Sequence, residues 1–167
     1  MAEFTHLDEE GRVRMVDVSD KAPTHRTAVT QGRIRMQRST FDAIRDGQVK
    51  KGNVLETARI AGIMAAKRTS ELIPMCHPLN ISYAGVDFFP EEEHSAFRIE
   101  ATVRTIDQTG VEMEALTAVS TAALTIYDMC KSKDRAMVIS DIGLLTKSGG
   151  KSGTYQRQEP IEAPPAK

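Results

Sequence analysis

The chain has 167 residues, 40% hydrophobic and 27% charged, enough for one domain with a real core. Its 22 Lys and Arg against 23 Asp and Glu exert no global pull toward nucleic acid or an anionic membrane, and no stretch approaches the roughly 18 apolar residues of a membrane span. Two cysteines make no disulfide framework, the absence of Trp leaves few stacking platforms for single strands, and the polar start MAEFTHLDEEGRVR is no secretory leader, so the expected setting is the cytoplasm with reduced thiols.

Residues 1–22 are polar and charged and are expected to form a mobile N-terminal segment. HRTAVTQGRIRMQ carries β-branched residues in rough alternation and predicts a strand. STFDAIRDG opens on a Ser/Thr cap and stops at Gly47, the pattern of a short helix. KKGNVLETARIAGIMAAKRTSELIP follows as one long helix, capped by Asn53 and ended by Pro74, with Val54, Leu55, Ala58, Ala61, Ile63 and Ala65 as its apolar side. Gly62 inside it costs about 1 kcal/mol against Ala, which implies close packing there.

NISYAGVDFFP predicts a strand, EEEH a charged turn, and SAFRIEATVRTID the returning strand, with Phe97, Ile99, Ala101 and Val103 on one face. TGVEMEALTAVSTAALTIYDMCKSKD is the second long helix, with Leu116, Val119, Ala123, Ile126 and Cys130 at three- and four-residue steps. Its small residues Ala115, Ala118 and Ala122 form a stripe that would let a second copy approach closely. AMVISDIGLLTKSGG is the last predicted strand. The Pro-rich end, residues 156–167, is expected to be a disordered tail, leaving a single domain over 23–155. The predicted class is α+β: a ferredoxin-like βαββαβ chain with a four-stranded antiparallel sheet and helices on one face.

IPMCHPLN holds the densest chemistry. Adjacent Cys76 and His77 lack the spaced pairs of a zinc site, so no metal site is expected. As nucleophile and base they are awkward, since neighbouring side chains in an extended segment point apart. Cys76 is expected to be a buried structural thiol. His77 lies on a loop stiffened by Pro74 and Pro78, and binding and structural roles both stay open for it. GGKSG suggests a phosphate loop, but Leu145 stands where that motif needs Gly and no helix pattern follows. What survives is a flexible segment whose amides, Lys147 and Lys151 could meet an anion.

Glu112 and Glu114 sit in the first turn of the second long helix, where the dipole favours them. Asp128 sits at the unfavourable end with Lys131 one turn on; the pair reads as a surface ion pair or as a general base and acid. Arg26, Lys50, Lys51, Lys67, Arg68, Lys131, Lys147 and Lys151 are scattered in sequence, and several could converge on a polyphosphate.

Four blocks, MVDVS, KKGNVLETARIAGIMAAKRTSELIPMCHPL, TGVEMEALTAVSTAALTIYDMCK and KSGGKSG, resemble in order and spacing the cyclic pyranopterin monophosphate synthase family, the molybdenum-cofactor biosynthesis protein C family. The resemblance spans about residues 4 to 154. It implies a ferredoxin-like fold and a homohexamer, a trimer of dimers, with active sites at subunit interfaces. It implies a GTP-derived substrate, 3′,8-cyclo-7,8-dihydroguanosine 5′-triphosphate, rearranged to a pyranopterin with a cyclic phosphate and release of pyrophosphate. No redox cofactor is implied; a divalent ion such as Mg2+ could accompany the triphosphate.

By the same resemblance Met75, Cys76 and His77 form a substrate-binding wall, and Met113 and Glu114 a second binding segment. Asp128 becomes the catalytic acid/base with Lys131 beside it. Lys51, Lys67, Glu112 and Lys147 match positions that handle phosphate or protons, Lys51 within the catalytic set, and Arg26 joins the substrate-binding residues. Met75 stands where Leu is frequent, a nearly volume-conserving exchange. The rival reading is a non-enzymatic nucleotide-binding ferredoxin-like module, which would leave its nucleotide unchanged where a synthase would release pyrophosphate.

Overall fold

A computed structural model describes residues 10–158. Residues 1–9 and 159–167, which hold part of the expected mobile segment and most of the expected tail, lie outside the described residues. The elements in chain order are β1 (Thr24–Arg35), α1 (Arg38–Arg45), α2 (Val54–Ala66), α3 (Thr69–Leu72), β2 (Ile81–Glu91), a 3-10 turn (Glu92–His94), β3 (Ala96–Asp107), α4 (Glu112–Cys130), β4 (Val138–Ser148) and β5 (Tyr155–Gln156).

Every strand pairing is antiparallel, and the strands lie in the order β2-β3-β1-β4-β5. The first four strands have the expected βαββαβ order, but the sheet has five strands, not four. The fifth arises because Gly149, Gly150 and Gly153 all adopt positive φ and turn the chain back, so that Tyr155 pairs with Lys147 and Gln156 with Thr146. A two-residue strand is too short to carry alternation, and its Gln156 falls on the expected start of the tail.

The core lies between the sheet and the antiparallel pair α2 and α4. Ile34, Phe97, Ile99, Val103, Val119 and Ile126 are among its fully buried side chains. The face of β3 read from the sequence is therefore the one that is covered. Gly62 packs as its helix context implies: a Cβ there would sit 2.9 Å from the Ala118 carbonyl oxygen and 3.4 Å from the Ala122 Cβ. The same contact corrects the reading of the small-residue stripe. Ala115, Ala118 and Ala122 are buried within the chain, in part against α2, so this stripe is not a docking face for a second copy.

The long helix predicted from Lys50 to Pro74 is broken into α2 and α3. Asn53 caps it as expected, its side chain accepting from the Glu56 amide. The break falls at Arg68, where φ is −118° and ψ is 15°. Thr69 closes it: its hydroxyl donates to the carbonyls of Ala65 and Ala66, taking up groups left open by the end of α2. No Gly or Pro marks this position.

Candidate active site

Two groups of predicted residues meet at the N-terminus of α4. The helix is seated by the buried Thr30, whose hydroxyl donates to the Ala115 carbonyl at 2.8 Å. That bond aims the first turn at the loop between α3 and β2. A cavity of about 310 Å³ opens there, lined by Met75, Cys76 and His77 from the loop and by Glu112, Met113 and Glu114 from α4. Half of its lining is aliphatic or sulfur-bearing, and Glu112 and Glu114 supply carboxylates.

Glu114 is only 3% exposed and forms no ion pair among the described residues. Loss of solvent pushes its carboxyl up to about 6, against a bond from its own backbone amide and with the neighbouring Glu112 charge adding to the rise. A carboxyl tuned this close to neutrality can accept and return a proton. The shift has a sign for stability. The ordinary value is 4.5, so the folded state favours the protonated form, and stability is lost as pH rises through about 6. Replacing Glu114 by Gln should therefore leave stability near pH 4 almost unchanged and raise it by ~2 kcal/mol at pH 8, as read from urea unfolding at the two pH values. An equal effect at both pH values would show that the carboxyl's charge is not what the fold resists.

Cys76 is half-buried, and burial, with the charge of Glu114, pushes its thiol above the usual range. A thiol held protonated is a poor nucleophile. Cys76→Ser is expected to lower activity or stability modestly and to retain turnover. Complete inactivity of a well-folded Ser variant would point instead to covalent chemistry.

Next to the cavity lies a second, basic space of about 480 Å³, lined by Arg26, Lys147, Lys151 and Gly149 among others, with Glu112 common to both. Arg26 is held by the carbonyls of Asp107 and Gln108, at 3.3 and 3.0 Å, which turns the rest of its guanidinium toward the glycine loop. A side chain at Gly150 would strike that guanidinium, so the loop that failed as a nucleotide-hydrolase motif frames a cation instead. Lys147 pairs with Glu112 at 3.4 Å.

The third group is elsewhere. Lys131 lies 2.6 Å from Asp128 Oδ1, and the Lys51 ammonium is 3.5 Å from the Asp128 main-chain carbonyl, at the C-terminal end of α4. The Lys131 bond and charge hold the Asp128 carboxyl below the usual carboxylate range, and Asp128 in turn raises Lys131. The acid and base are thus ionised together, but Asp128 is 68% exposed and belongs to neither cavity. Lys67, exposed at the C-cap of α2, joins none of these groups. Among the described residues no group of three His, Cys, Asp or Glu is placed to hold a metal ion, and no helix is long and apolar enough to cross a membrane.

Sequence reasoning missed Val16, Val18 and Lys21, which close the cavity from the N-terminal side. The only signal was that Val16 and Val18 fall within MVDVS, one of the four blocks carrying the resemblance.

In this α+β domain a half-apolar, carboxylate-bearing cavity runs into a cluster of cations. The chain belongs to the MoaC family, whose model matches residues 15–150. It is 64% identical over 155 residues to the cyclic pyranopterin monophosphate synthase of Desulforapulum autotrophicum, covering 93% of this chain and 95% of that one. It is 60% identical over 159 residues to that of Heliobacterium modesticaldum, covering 95% and 100%. The protein of the same name from Chloroflexus aurantiacus is 62% identical over 155 residues, covering 93% and 95%.

Proposed function

We propose that this protein is a cyclic pyranopterin monophosphate synthase of molybdenum cofactor biosynthesis. It converts (8S)-3′,8-cyclo-7,8-dihydroguanosine 5′-triphosphate to cyclic pyranopterin monophosphate and diphosphate. The observation that carries the reading beyond family membership is the end-to-end meeting of a ring-sized cavity and a basic cleft at the start of α4. The heterocycle occupies the cavity against Met75, Cys76 and Met113; the triphosphate lies along Arg26 and Lys147. Any divalent ion such as Mg2+ enters on the triphosphate oxygens.

The reaction is of the phosphorus–oxygen lyase type. Opening and reclosing the ring system moves several protons, for which Glu114 is tuned and Glu112 lies adjacent. Cyclisation forms a bond from a sugar-derived hydroxyl oxygen to the α-phosphorus. It breaks the bond from that phosphorus to the bridging oxygen, and pyrophosphate leaves with the electron pair while the hydroxyl proton passes to a carboxylate. The cations stabilise the charge that accumulates on the leaving group.

Asp128, Lys131 and Lys51 complete the site from a second chain in a cytoplasmic homohexamer, a trimer of dimers. Three features support this. Glu114 and Asp128 lie ~21 Å apart along one helix. Buried Glu114 forms no ion pair among the described residues, and Lys131 and Lys51 gather at the far end of α4. Ile60 and Met64 on α2 and Leu124 on α4 are exposed apolar side chains that a partner could cover. Incubation with the cyclised dihydro-GTP, followed by product analysis, tests the reaction: stoichiometric pyrophosphate with a pterin product is expected, and recovery of unchanged nucleotide would reduce the protein to a binding module.

A further inference from the structure

The chain from Met15 to Lys21 is tied to the cavity wall through His77 and braced by bonds of its own. His77 Nε2 lies 2.9 Å from the Val16 carbonyl, and because a carbonyl only accepts, this nitrogen carries the proton. Asp17 Oδ1 accepts from both the amide and the hydroxyl of Ser19, at 2.9 and 2.7 Å, and the Lys21 amide donates to the Val18 carbonyl at 2.9 Å. These bonds fix a tight turn of the Asx kind.

The turn delivers Lys21 to the junction of the two spaces. Lys21, Thr109, Gly110 and Glu112 line both of them, and Lys21 is the only cation of the four. Of the other cations lining the cleft, Lys147 is engaged with Glu112 and Arg26 with two carbonyls, and Lys151 does not reach the cavity lining. The Lys21 side chain forms no ion pair among the described residues. A molecule with its ring in the cavity and its phosphates in the cleft must pass its first phosphate through this junction, close to the Glu112 carboxylate. A cation is needed there to offset that repulsion.

We propose that Lys21 is a substrate contact that grips the phosphate next to the sugar, and that Asp17 and Ser19 are positioning residues for it. The proposal rests on the assignment of cavity and cleft to ring and triphosphate. Equilibrium binding of GTP and of guanosine to the assembled protein tests it, with native, Lys21→Met and Lys21→Arg chains. Lys21→Met should weaken GTP by about tenfold to a hundredfold and leave guanosine unchanged, while Lys21→Arg keeps most of the GTP affinity. The gap between native and Met chains should narrow as salt rises. Asp17→Ala should weaken GTP in the native background and not in the Lys21→Met background, a coupling that mere loosening of the wall would not produce. Equal loss of GTP and guanosine, no loss of GTP in Lys21→Met, or native protein that prefers guanosine to GTP would each overturn the contact. Turnover of the cyclised triphosphate is scored separately. Native protein without turnover but with Lys21-dependent GTP binding would reject the synthase reading and leave the contact standing.

Discussion

Asp128→Ala and Lys131→Ala are each expected to abolish turnover while folding and assembly persist. The helix dipole disfavours an acid at the C-terminal end of α4, and among the described residues the Asp128 side chain pairs with Lys131 alone. Its partner Lys131 is itself exposed, so the pair adds little to stability. What the pair does provide is a carboxylate and an ammonium in contact, each held in its charged form by the other. Positioned acid–base groups contribute roughly 10²–10⁴-fold each, so single-turnover pyrophosphate release should fall by at least that factor. Thermal unfolding and oligomer size should match the parent chain. Near-native turnover by either variant would remove that residue from the chemistry.

Mixed oligomers provide the second large effect. Chains carrying Asp128→Ala and chains carrying Glu114→Ala are each expected to be inactive, and reassembly of the two together is expected to restore part of the activity. Glu114 and Asp128 lie about 40° apart around α4 but ~21 Å apart along it, a span that a single small-molecule pocket does not bridge within one chain. If each site takes its Glu114 end from one protomer and its Asp128 end from the partner, a mixed pair holds one site with both defects and one with neither. Random one-to-one mixing then recovers about a quarter of the native activity, since about half of the pairs are mixed and half of their sites are whole. The close approach cannot use Ala115, Ala118 and Ala122, which are covered within the chain. No recovery in oligomers verified as mixed would place both residues in one chain's site or in different sites.

Much of the framework was legible because it is local. The alternation of Phe97, Ile99, Ala101 and Val103 needs only a two-residue period and one covered face, and these residues are indeed buried. The Asn53 cap and the packing implied by Gly62 likewise follow from the chemistry of a few neighbouring residues. Local signals gave no warning of the break at Arg68, because it is made by a threonine hydroxyl reaching back to two carbonyls. They also missed β5, which exists because three glycines turn the chain onto an edge already built by β4.

The composition, the periods and the four motif blocks determined, from the sequence alone, an α+β domain with an antiparallel sheet, its family, and the set of side chains able to do chemistry. Only the tertiary structure decided how that set is divided. Met75 to His77 and Glu112 to Glu114 are remote in the chain and share a cavity because Thr30 seats the start of α4 beside the loop before β2. Glu114 and Asp128 share one helix and are kept apart, because an α-helix is rigid and each residue advances its axis by about 1.5 Å. The Ala stripe reads the same whether it faces a partner or a neighbouring helix. Its fate was settled by α2, whose Gly62 lets the two backbones come close enough to cover it. Periodicity records which side of a helix is apolar or small, but not which surface will cover it, and that choice is made by contacts between residues far apart in sequence.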